Sequence, residues 1–460
     1  MKGILSAVLL TAVAVSAARA QEPETPFLKN SVVSGTATAT PVRLTLRDAV
    51  DRAIKNNLAT LVGTEAERLA FAKRQQDKAE LLPKLDAFVA AEQRQVNLAA
   101  FGFTGFPGVR QIIGPFSLMD ARATLSQPLL DLELRHNLIA STEAHRATTL
   151  TNANTRELVV LAAIDEYFHV VSSQSRVVSV EAQLARATAL HGRAVDMKNA
   201  GLIPGIDVLR AQVEQRTLEQ RLIQSRNLVE NNKLTLARVI GLPLDQVFTL
   251  VDSLPPEGGP VPSLQALLET AFSRRADLMA LDARVRSAEE DFKATRSRKL
   301  PTIGVHGDYG VTGPSPTNNH GTYSVRVEAR VSIFDRDIEG DAAEDQAILR
   351  QRQAERDSLR GRVEMEVRSA FLDLQSAEEQ LRVAREAQTL SQQQLDQAQD
   401  RFSAGVANNL EVIQAQEDVA LGDERVIQGL YGFNIARALL ARATGSAERS
   451  ISDFFPGSTR

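Results

Sequence analysis

Apolar residues recur at two different spacings along this chain, and each spacing predicts one kind of element. Between residues 44 and 82 they fall on one side of a helix, and Pro83 ends it because proline cannot continue the helical ladder. The segments 131–200 and 336–404 contain almost no Pro or Gly. Each is predicted to be one helix about 105 Å long, at a rise of about 1.5 Å per residue.

The second long helix carries an apolar residue at every seventh position. Leu374, Leu381, Leu395 and Phe402 form this row, and small Ala and Ser side chains hold the companion positions. A sustained repeat of seven indicates left-handed supercoiling, and small companions let two helices approach closely. After each long helix, a shorter one is predicted to return along it, ending at Gly241 or Gly445.

Apolar and polar residues alternate at every second position in two other stretches, which predicts β-hairpins at 84–127 and 302–332. The second hairpin is predicted to turn at residues 313–321, and the first to carry a loop rich in Gly and Phe at 97–116. In the second hairpin, one face of the last strand carries Tyr323, Val325, Val327 and Val331, and the other face carries Arg326, Glu328 and Arg330. Strands of about 11 residues with such faces match a transmembrane β-barrel, although a half-buried sheet in a soluble domain has the same alternation.

The whole arrangement occurs twice. Residues 201–212 and 405–416 share a pattern of Gly, acid, apolar pair and Ala-Gln at an offset of 204 residues (405 − 201). Asp131 and Asp335 match at the same offset, as do Gly241 and Gly445. The first helices match at an offset of 218, so the extra residues of the first copy lie between Pro83 and Asp131. One architecture built twice is therefore predicted.

These patterns divide the chain into six predicted segments. They are a signal peptide (1–20), an exposed lead-in (21–43), a first repeat (44–245) with its tip at 201–212, a linker (246–262), a second repeat (263–446) with its tip at 405–416, and a tail (447–460).

Composition and charge narrow the class of protein. Lys2, an apolar run and Ala18-Arg19-Ala20 form a secretory signal with a cleavage pattern, which is favoured over a membrane anchor. Removing it changes the formal net charge from −4 to −6, because it takes Lys2 and Arg19, and such an acidic exported chain is a poor nucleic-acid binder. The chain has no Cys, so disulfides, thiolate metal sites and a lipid-anchored cysteine are excluded.

No pattern of enzymatic chemistry is found. The chain lacks a phosphate-binding Gly-Lys loop, a His-Glu-x-x-His motif and a nucleophile elbow. Its six histidines are scattered without ligand spacing, and the many acids follow helical spacing that is typical of solvated faces. We therefore predict a protein without catalytic activity, cofactor or metal.

The two repeats resemble the TolC family of bacterial outer-membrane efflux proteins, the outer membrane factors of tripartite efflux or type I secretion systems. The resemblance rests on the tip stretches, on the strand exits at 126–131 and 332–335, and on the spacings between them, and covers roughly residues 44–446. It implies an α+β fold and a homotrimer, with a 12-stranded barrel in outer-membrane lipid and a helical barrel crossing the periplasm. Four strands alone cannot close a barrel, since small barrels need about eight, but the number three comes from the resemblance.

The resemblance also implies a function. Family members are passive conduits whose tips close the periplasmic end until an inner-membrane pump and a periplasmic adaptor engage them. The exported substrate stays open: drugs, metal ions and polypeptides are all compatible. The alternative is a periplasmic coiled-coil adaptor with a soluble sheet, against which two equal helical hairpins argue.

Candidate site residues follow from the same comparison. Asp207 and Glu411 match the acid of the tip pattern, while Arg210 and Gln414 stand where a further acid would strengthen cation selectivity; the alternative is that both acids only favour helix starts. The tip turns are assigned to Gly201, Pro204, Gly205 and Gly405, and the barrel lumen to Arg326, Glu328 and Arg330.

Overall fold

A computed structural model of the protein describes residues 28–102, 108, 110–255, 261–404, 406–407 and 409–449. The predicted signal peptide, the tip glycine Gly405 and most of the predicted tail lie outside the described residues. The first repeat contains β1 (Val42–Leu44), α1 (Leu46–Asn56), α2 (Leu58–Glu80), β2 (Lys84–Asn97), β3 (Ile112–Leu130), α3 (Leu132–Asn199) and α4 (Gly205–Ile240). The second contains β4 (Phe248–Leu250), α5 (Leu264–Arg274), α6 (Ala276–Ser297), β5 (Thr302–Ser315), β6 (Asn318–Arg330), α7 (Asp337–Ser403) and α8 (Asn409–Ala443).

The two repeats are joined by a small parallel sheet. Strands β1 and β4 pair from Val42 with Phe248 to Leu44 with Leu250. Strand β4 lies inside the segment 246–262 that the sequence analysis assigned to the linker, which therefore contains a short strand that the sequence analysis did not predict. The pairing of β1 with β4 could not be predicted from the local sequence, because the two strands lie about 200 residues apart. Each strand is also too short to show a periodic pattern of apolar residues.

The predicted single helix between residues 44 and 82 is also wrong, because Asn57 divides it. Asn57 has an extended backbone (φ −65°, ψ 134°), and its side chain accepts a hydrogen bond from the Ala59 amide at 2.9 Å. Asparagine is a preferred N-cap, so α2 restarts directly behind it. Arg275 (φ −63°, ψ 119°) divides α5 from α6 at the equivalent place in the second repeat.

Both hairpins have longer strands than predicted. Strand β3 begins at Ile112, inside the segment predicted as a loop, and β5 and β6 are joined through Pro316 and Thr317 rather than by residues 313–321. The Asn318 amide donates to Ser315 Oγ at 3.2 Å, which closes this tight connection. Turn-type residues on either side still pair, because the backbone ladder does not depend on their side chains.

The four long strands form one antiparallel sheet in the order β2-β3-β5-β6. Its register places Ala87, Ala123, Tyr309 and Tyr323 in one row across the sheet, on the face that also carries the exposed Val325 and Val327. Arg122 and Asp308 lie in the two rows that flank this one, both on the opposite face. The sheet therefore has one apolar face and one polar face, as the alternation predicts.

The strand exits explain why an aspartate recurs at 131 and 335. Asp131 accepts a hydrogen bond from the Leu134 amide at 3.0 Å and so caps α3, while Asp335 accepts one from the Asp337 amide at 3.0 Å at the start of α7. A carboxylate here satisfies backbone donors that have no partner within the helix and interacts favourably with its dipole. The repeated motif thus sets where each long helix begins.

The helices form paired rods. In the half that ends at the tips, α4 packs on α3, α3 on α8 and α8 on α7; in the half next to the sheet, the order is α2, α3, α6 and α7. The predicted seam of Leu374, Leu381, Leu395 and Phe402 is buried. Within the described residues, no helix has an apolar stretch long enough to cross a membrane.

Glycine allows α7 and α8 to approach closely along this seam. A Cβ atom added to Gly422 would lie 3.0 Å from Ser391 Oγ and 3.2 Å from Gln388 Cα, whereas one added to Gly192 of α3 meets nothing within 4 Å. We expect Gly422→Leu to lower the stability of the protein by about 1–3 kcal/mol through overpacking. Gly192→Leu should leave it unchanged or raise it slightly, because leucine favours the helix.

Thermal unfolding in detergent, followed by helical circular dichroism, measures this difference. Equal midpoints for the Gly422→Leu and Gly192→Leu proteins would contradict the close packing of α7 against α8.

Candidate functional site

The tips of the two helical hairpins are built by the same hydrogen-bond pattern. Gly201 has a left-handed backbone (φ 75°), with its amide bonded to the Lys198 carbonyl (2.9 Å) and the Leu202 amide to the Met197 carbonyl (2.9 Å). This is the Schellman arrangement, which requires a residue that tolerates positive φ. In the second repeat the Val406 amide bonds to the Arg401 carbonyl at 3.1 Å, the equivalent contact.

The returning helix of the first repeat starts directly after this turn. Pro204 occupies the N-cap position of α4, and Gly205 is the first helical residue. Proline at a helix start costs no hydrogen bond, because the first amides have no partner within the helix. Gly201, Pro204 and Gly205 therefore lie in the turn as predicted from the sequence, and their role at a channel mouth stays a prediction.

Asp207 lies on the inner side of its tip. Only 7% of the residue is exposed, and its carboxylate is paired with Arg210 at 3.1 Å. The side chain of Asn409, the first residue of α8, is fully buried and donates from Nδ2 to the Asp207 carbonyl at 3.1 Å. This hydrogen bond joins the two tips within one protomer.

The tip acid of the second repeat also has a basic partner. Glu411 Oε1 lies 3.0 Å from Nε of Arg401, which is near the end of α7. Gln414, one turn further along α8, is exposed. Both predicted tip carboxylates are thus paired with arginine inside the protomer. The sequence pattern identified Arg210 but missed Arg401 and the contact made by Asn409, since the two repeats carry different residues at both positions.

Apolar packing adds to the contact between the tips. Leu190 of α3 is buried in a cluster with Leu395 and Phe402 of α7 and Val412 of α8, and Met197 packs against its edge. The end of α3 therefore supports the second hairpin as well as its own. Movement of the second hairpin away from the first would expose this cluster.

Polar contacts continue the seam between α3 and α8 above the tips. Arg176 donates two hydrogen bonds to Glu424, at 2.7 and 2.5 Å, and Ser179 donates to Asp423 at 2.8 Å. Burial opposes ionisation of Glu424, but the hydrogen bonds from Arg176 and Gln428 outweigh it and lower the pKa of this carboxyl. The two hairpins are consequently held together by a charged pair that stays ionised at neutral pH.

Tyr431 of α8 makes a second polar contact with α3. Its hydroxyl donates to Asp165 at 2.6 Å and lies 2.9 Å from Nε2 of His169. Burial, followed by the hydrogen bond to Asp165, raises the pKa of Tyr431 well above its usual range, so the phenol keeps its proton. It therefore serves as a donor from α8 to α3.

A cavity of about 510 Å³ separates α3, α4 and α8 between these contacts and the tips. Glu214 and Glu417 face it from opposite sides, with Arg186 and Arg221 on its walls. Burial, then the neighbouring charge of Glu417, raises the pKa of Glu214. This cavity is thus a gap between the two hairpins that charged side chains face.

The predicted lumen residues lie on the polar face of the sheet. Glu328 pairs with Arg330 at 2.7 Å, and Arg326 is exposed beside them. Arg122, which the sequence analysis did not single out, pairs with Asp308 of β5 at 2.8 Å and with Asp120 at 2.9 Å. The alternation of β3 placed Arg122 on this face, but its partners depend on the register with β5.

Two repeats of paired long helices, each with a strand pair in a shared sheet, define the class of TolC-like channel proteins. The family model of outer membrane efflux proteins matches residues 267–446. The outer membrane protein OprJ of Pseudomonas aeruginosa is 25% identical over 429 residues, covering 87% of this chain and 84% of OprJ. The probable efflux pump outer membrane protein TtgC of Pseudomonas putida is 22% identical over 407 residues, covering 82% of this chain and 79% of TtgC.

Solved structures agree with these relatives on the fold. The outer membrane protein VceC of Vibrio cholerae superposes with a TM-score of 0.73 at 15% identity, over 87% of this chain and 96% of VceC. The MtrE outer membrane channel of Neisseria gonorrhoeae gives a TM-score of 0.72 at 14% identity, over 91% of this chain and 95% of MtrE. The α+β TolC-like fold and the recognition of an outer-membrane efflux protein are confirmed.

Proposed function

We propose that this protein is the outer-membrane channel of an efflux system, in which three copies enclose one conduit across the outer membrane and periplasm. The observation that carries the proposal is that the sheet and the rods of one chain have two free lateral edges, which are complementary to each other. The relatives OprJ and TtgC are outer membrane proteins, and TtgC is named as part of an efflux pump, which supports the same function. A conduit of this kind performs no chemistry, so we propose no catalytic role.

The sheet and the rods leave their free edges on the same two sides. Within the described residues, β2 and β6 each pair on one side only, and the outermost helices are α4 and α2 on one side and α7 on the other. Joining the α7 and β6 edge of one copy to the opposite edge of the next is a head-to-tail contact, which closes into a ring. Open strand edges are not viable in lipid, so closure also satisfies the backbone.

The faces of the sheet suit a closed barrel. Tyr323, Val325 and Val327 are exposed on its apolar face, where lipid would cover them. Arg326, Glu328 and Arg330 would line the lumen, together with the Arg122–Asp308 pair. We propose twelve strands in the barrel, three being the number of copies that the resemblance implies.

The tips are proposed as the periplasmic gate. Asp207 and Glu411 would sit near the constriction, with Arg210 and Gln414 beside them and the turn at Gly201, Pro204, Gly205 and Gly405. The contacts between α3 and α8 favour a closed arrangement of the hairpins. We propose that a periplasmic adaptor and an inner-membrane pump supply the binding energy that separates them, since a ligand shifts such an equilibrium only by its differential affinity.

Pairing with arginine changes the expected selectivity of this gate. Each tip carboxylate is neutralised within its protomer, so the constriction should favour cations only weakly. Replacing Arg210 and Arg401 with glutamine uncovers both acids, each contributing about 1 kcal/mol to a cation at about 4 Å in water. We expect a several-fold larger cation preference in the double variant, measured as the reversal potential in a salt gradient across a planar bilayer.

The same preparation tests the channel itself. The detergent-purified oligomer is measured by mass and then by planar-bilayer conductance, alongside Asp207→Ala/Glu411→Ala and lysine replacements of both arginines as charge-preserving controls. A trimeric pore whose selectivity ignores all these variants would keep the channel and remove the gate from the tips. A soluble monomer without pore activity would contradict the channel and favour the periplasmic adaptor.

A further inference from the structure

A cavity of about 550 Å³ lies where the end of α8 meets the start of α6 and the side of α3, far from the tips. Four arginines and three acids line it: Arg274, Arg275, Arg442, Arg449, Glu157, Asp277 and Glu448. The protein itself engages all three acids: Glu157 with the Ala447 amide (2.7 Å), Asp277 with Arg275 (2.5 Å) and Glu448 with Arg156 (2.5 Å).

In contrast to these three acids, Arg442 has a polar atom without a partner in the described part of the chain. Its Nε atom is buried and, among the described residues, has no hydrogen-bond partner. Burial, followed by the neighbouring charge of Arg275, lowers the pKa of Arg442. A partly buried guanidinium whose buried Nε donor is unused, beside a second guanidinium, is an unfavourable arrangement, which a negative group in the cavity would relieve.

In the first repeat, the arginine at the equivalent position has a hydrogen-bond partner for its Nε atom. Arg238 is the counterpart of Arg442 at the repeat offset of 204 residues (442 − 238). Its Nε donates to Oδ1 of Asn30 at 3.0 Å. Asn30 belongs to the segment before β1. This segment is held across the end of the repeat by a hydrogen bond from the Val32 amide to the Asn56 carbonyl (2.8 Å).

The two sites differ in the segment that covers them. The Ser34 amide bonds to the carbonyl of Gly241 at 2.9 Å, so the chain before β1 closes the first site. Gly445 is the counterpart of Gly241, and it lines the cavity instead. The oxygen that Asn30 supplies to Arg238 therefore has no counterpart at Arg442 among the described residues.

We propose that the cavity at Arg442 binds an oxyanion, a phosphate or carboxylate group. The guanidinium fork is suited to such groups, because it can donate two parallel hydrogen bonds to them. A neutral amide suffices for Arg238, which is exposed, whereas Arg442 has its Nε atom buried beside a second guanidinium, which favours a negatively charged ligand.

The test is thermal unfolding of the detergent-purified full-length protein in sodium phosphate and in sodium chloride at equal ionic strength and pH. Circular dichroism of the helices is the readout, because the chain has no Trp. We expect phosphate to raise the Tm of the wild type in a saturable way and to leave the Tm of Arg442→Gln unchanged. Arg238→Gln is the matched control and should respond like the wild type.

Further variants cover the other outcomes. Arg442→Lys keeps the charge without the fork, so its phosphate response should be weaker, and it serves if Arg442→Gln does not fold. A phosphate response that persists in Arg442→Gln, or is missing from the wild type, overturns the proposal.

Discussion

Replacing Leu372 and Leu390 of α7 with glutamate is expected to convert the proposed oligomer into monomers and to abolish its pore. Both leucines are largely exposed in the single chain, at 62% and 64%. They lie on a second row of α7, distinct from the seam that packs on α8. The exposed Met365 and Val383 each precede one of them by seven residues, and the two pairs are 11 residues, about three turns, apart. Such a row indicates a helix that packs on two sides.

The complementary edge carries rows of the same kind. Leu209 and Ile223 on α4, Leu202 in the turn before α4, and Val62 and Leu69 on α2 are exposed at multiples of seven residues. In a closed ring these helices of one copy meet α7 of the next. Burial of each leucine contributes about 1.5–3 kcal/mol, so the double substitution weakens each interface by a factor of at least about 100.

Val178→Glu provides the matched control. Val178 is exposed to the same extent, at 66%, but it lies on α3, which has neighbouring helices on both sides. Native mass spectrometry in detergent and planar-bilayer conductance measure the outcome. An intact oligomer for Leu372→Glu/Leu390→Glu, or equal loss in the Val178→Glu protein, would contradict a ring closed through α7.

The rods and turns could be predicted because their causes are local. A heptad row, a capping aspartate at the strand exit and a glycine with positive φ each act within about one turn of the chain, so the sequence at Asp131, Gly201 and the seam of α7 contains the whole cause. The same reasoning failed at Asn57, where a helical pattern continues through the position. Besides its local N-cap, the Asn57 side chain donates a hydrogen bond to the Leu28 carbonyl at 2.7 Å, a contact outside any local window.

The candidate site shows the same limit. The sequence placed an acid at the start of each returning helix, which a helix dipole alone would favour. It could not show that Asp207 points inward or that Asn409 holds its carbonyl, because that contact joins residues 202 positions apart. Arg401 was missed for a similar reason: on the helical pattern it is one more solvated charge of α7, and only the turn brings it to Glu411.

Loss of the Arg275 side chain is expected to lower the stability of the protein strongly. Its side chain is 1% exposed and is paired with Asp277 at 2.5 Å and with Glu366. Removing one member of a buried ion pair costs about 3–5 kcal/mol, because the remaining charge stays buried without a partner. We expect Arg275→Ala to lower stability by that amount at neutral pH, while Arg274→Ala, one residue earlier and exposed, changes it by about 0.5 kcal/mol or less.

The dependence on pH distinguishes this cause from simple loss of packing. Burial opposes ionisation of Asp277, but the hydrogen bonds and charge of Arg275 outweigh it and lower the pKa of this carboxyl below its ordinary value. In the wild type the pair stabilises the fold above the ordinary pKa of an aspartate, and this contribution is lost as pH falls. Without Arg275, burial raises the pKa of Asp277 instead, so protonation on acidification removes the buried charge.

The difference in unfolding midpoint between wild type and Arg275→Ala should therefore be largest at neutral pH and shrink as the solution is acidified. Thermal unfolding across that range measures it, with Arg275→Met/Asp277→Asn/Glu366→Gln as a further control. Removing all the charges together can be nearly neutral when the shapes are similar, so the triple variant should recover most of the lost stability. A deficit that is independent of pH and persists in the triple variant would mean that Arg275 contributes through packing and not through its charge.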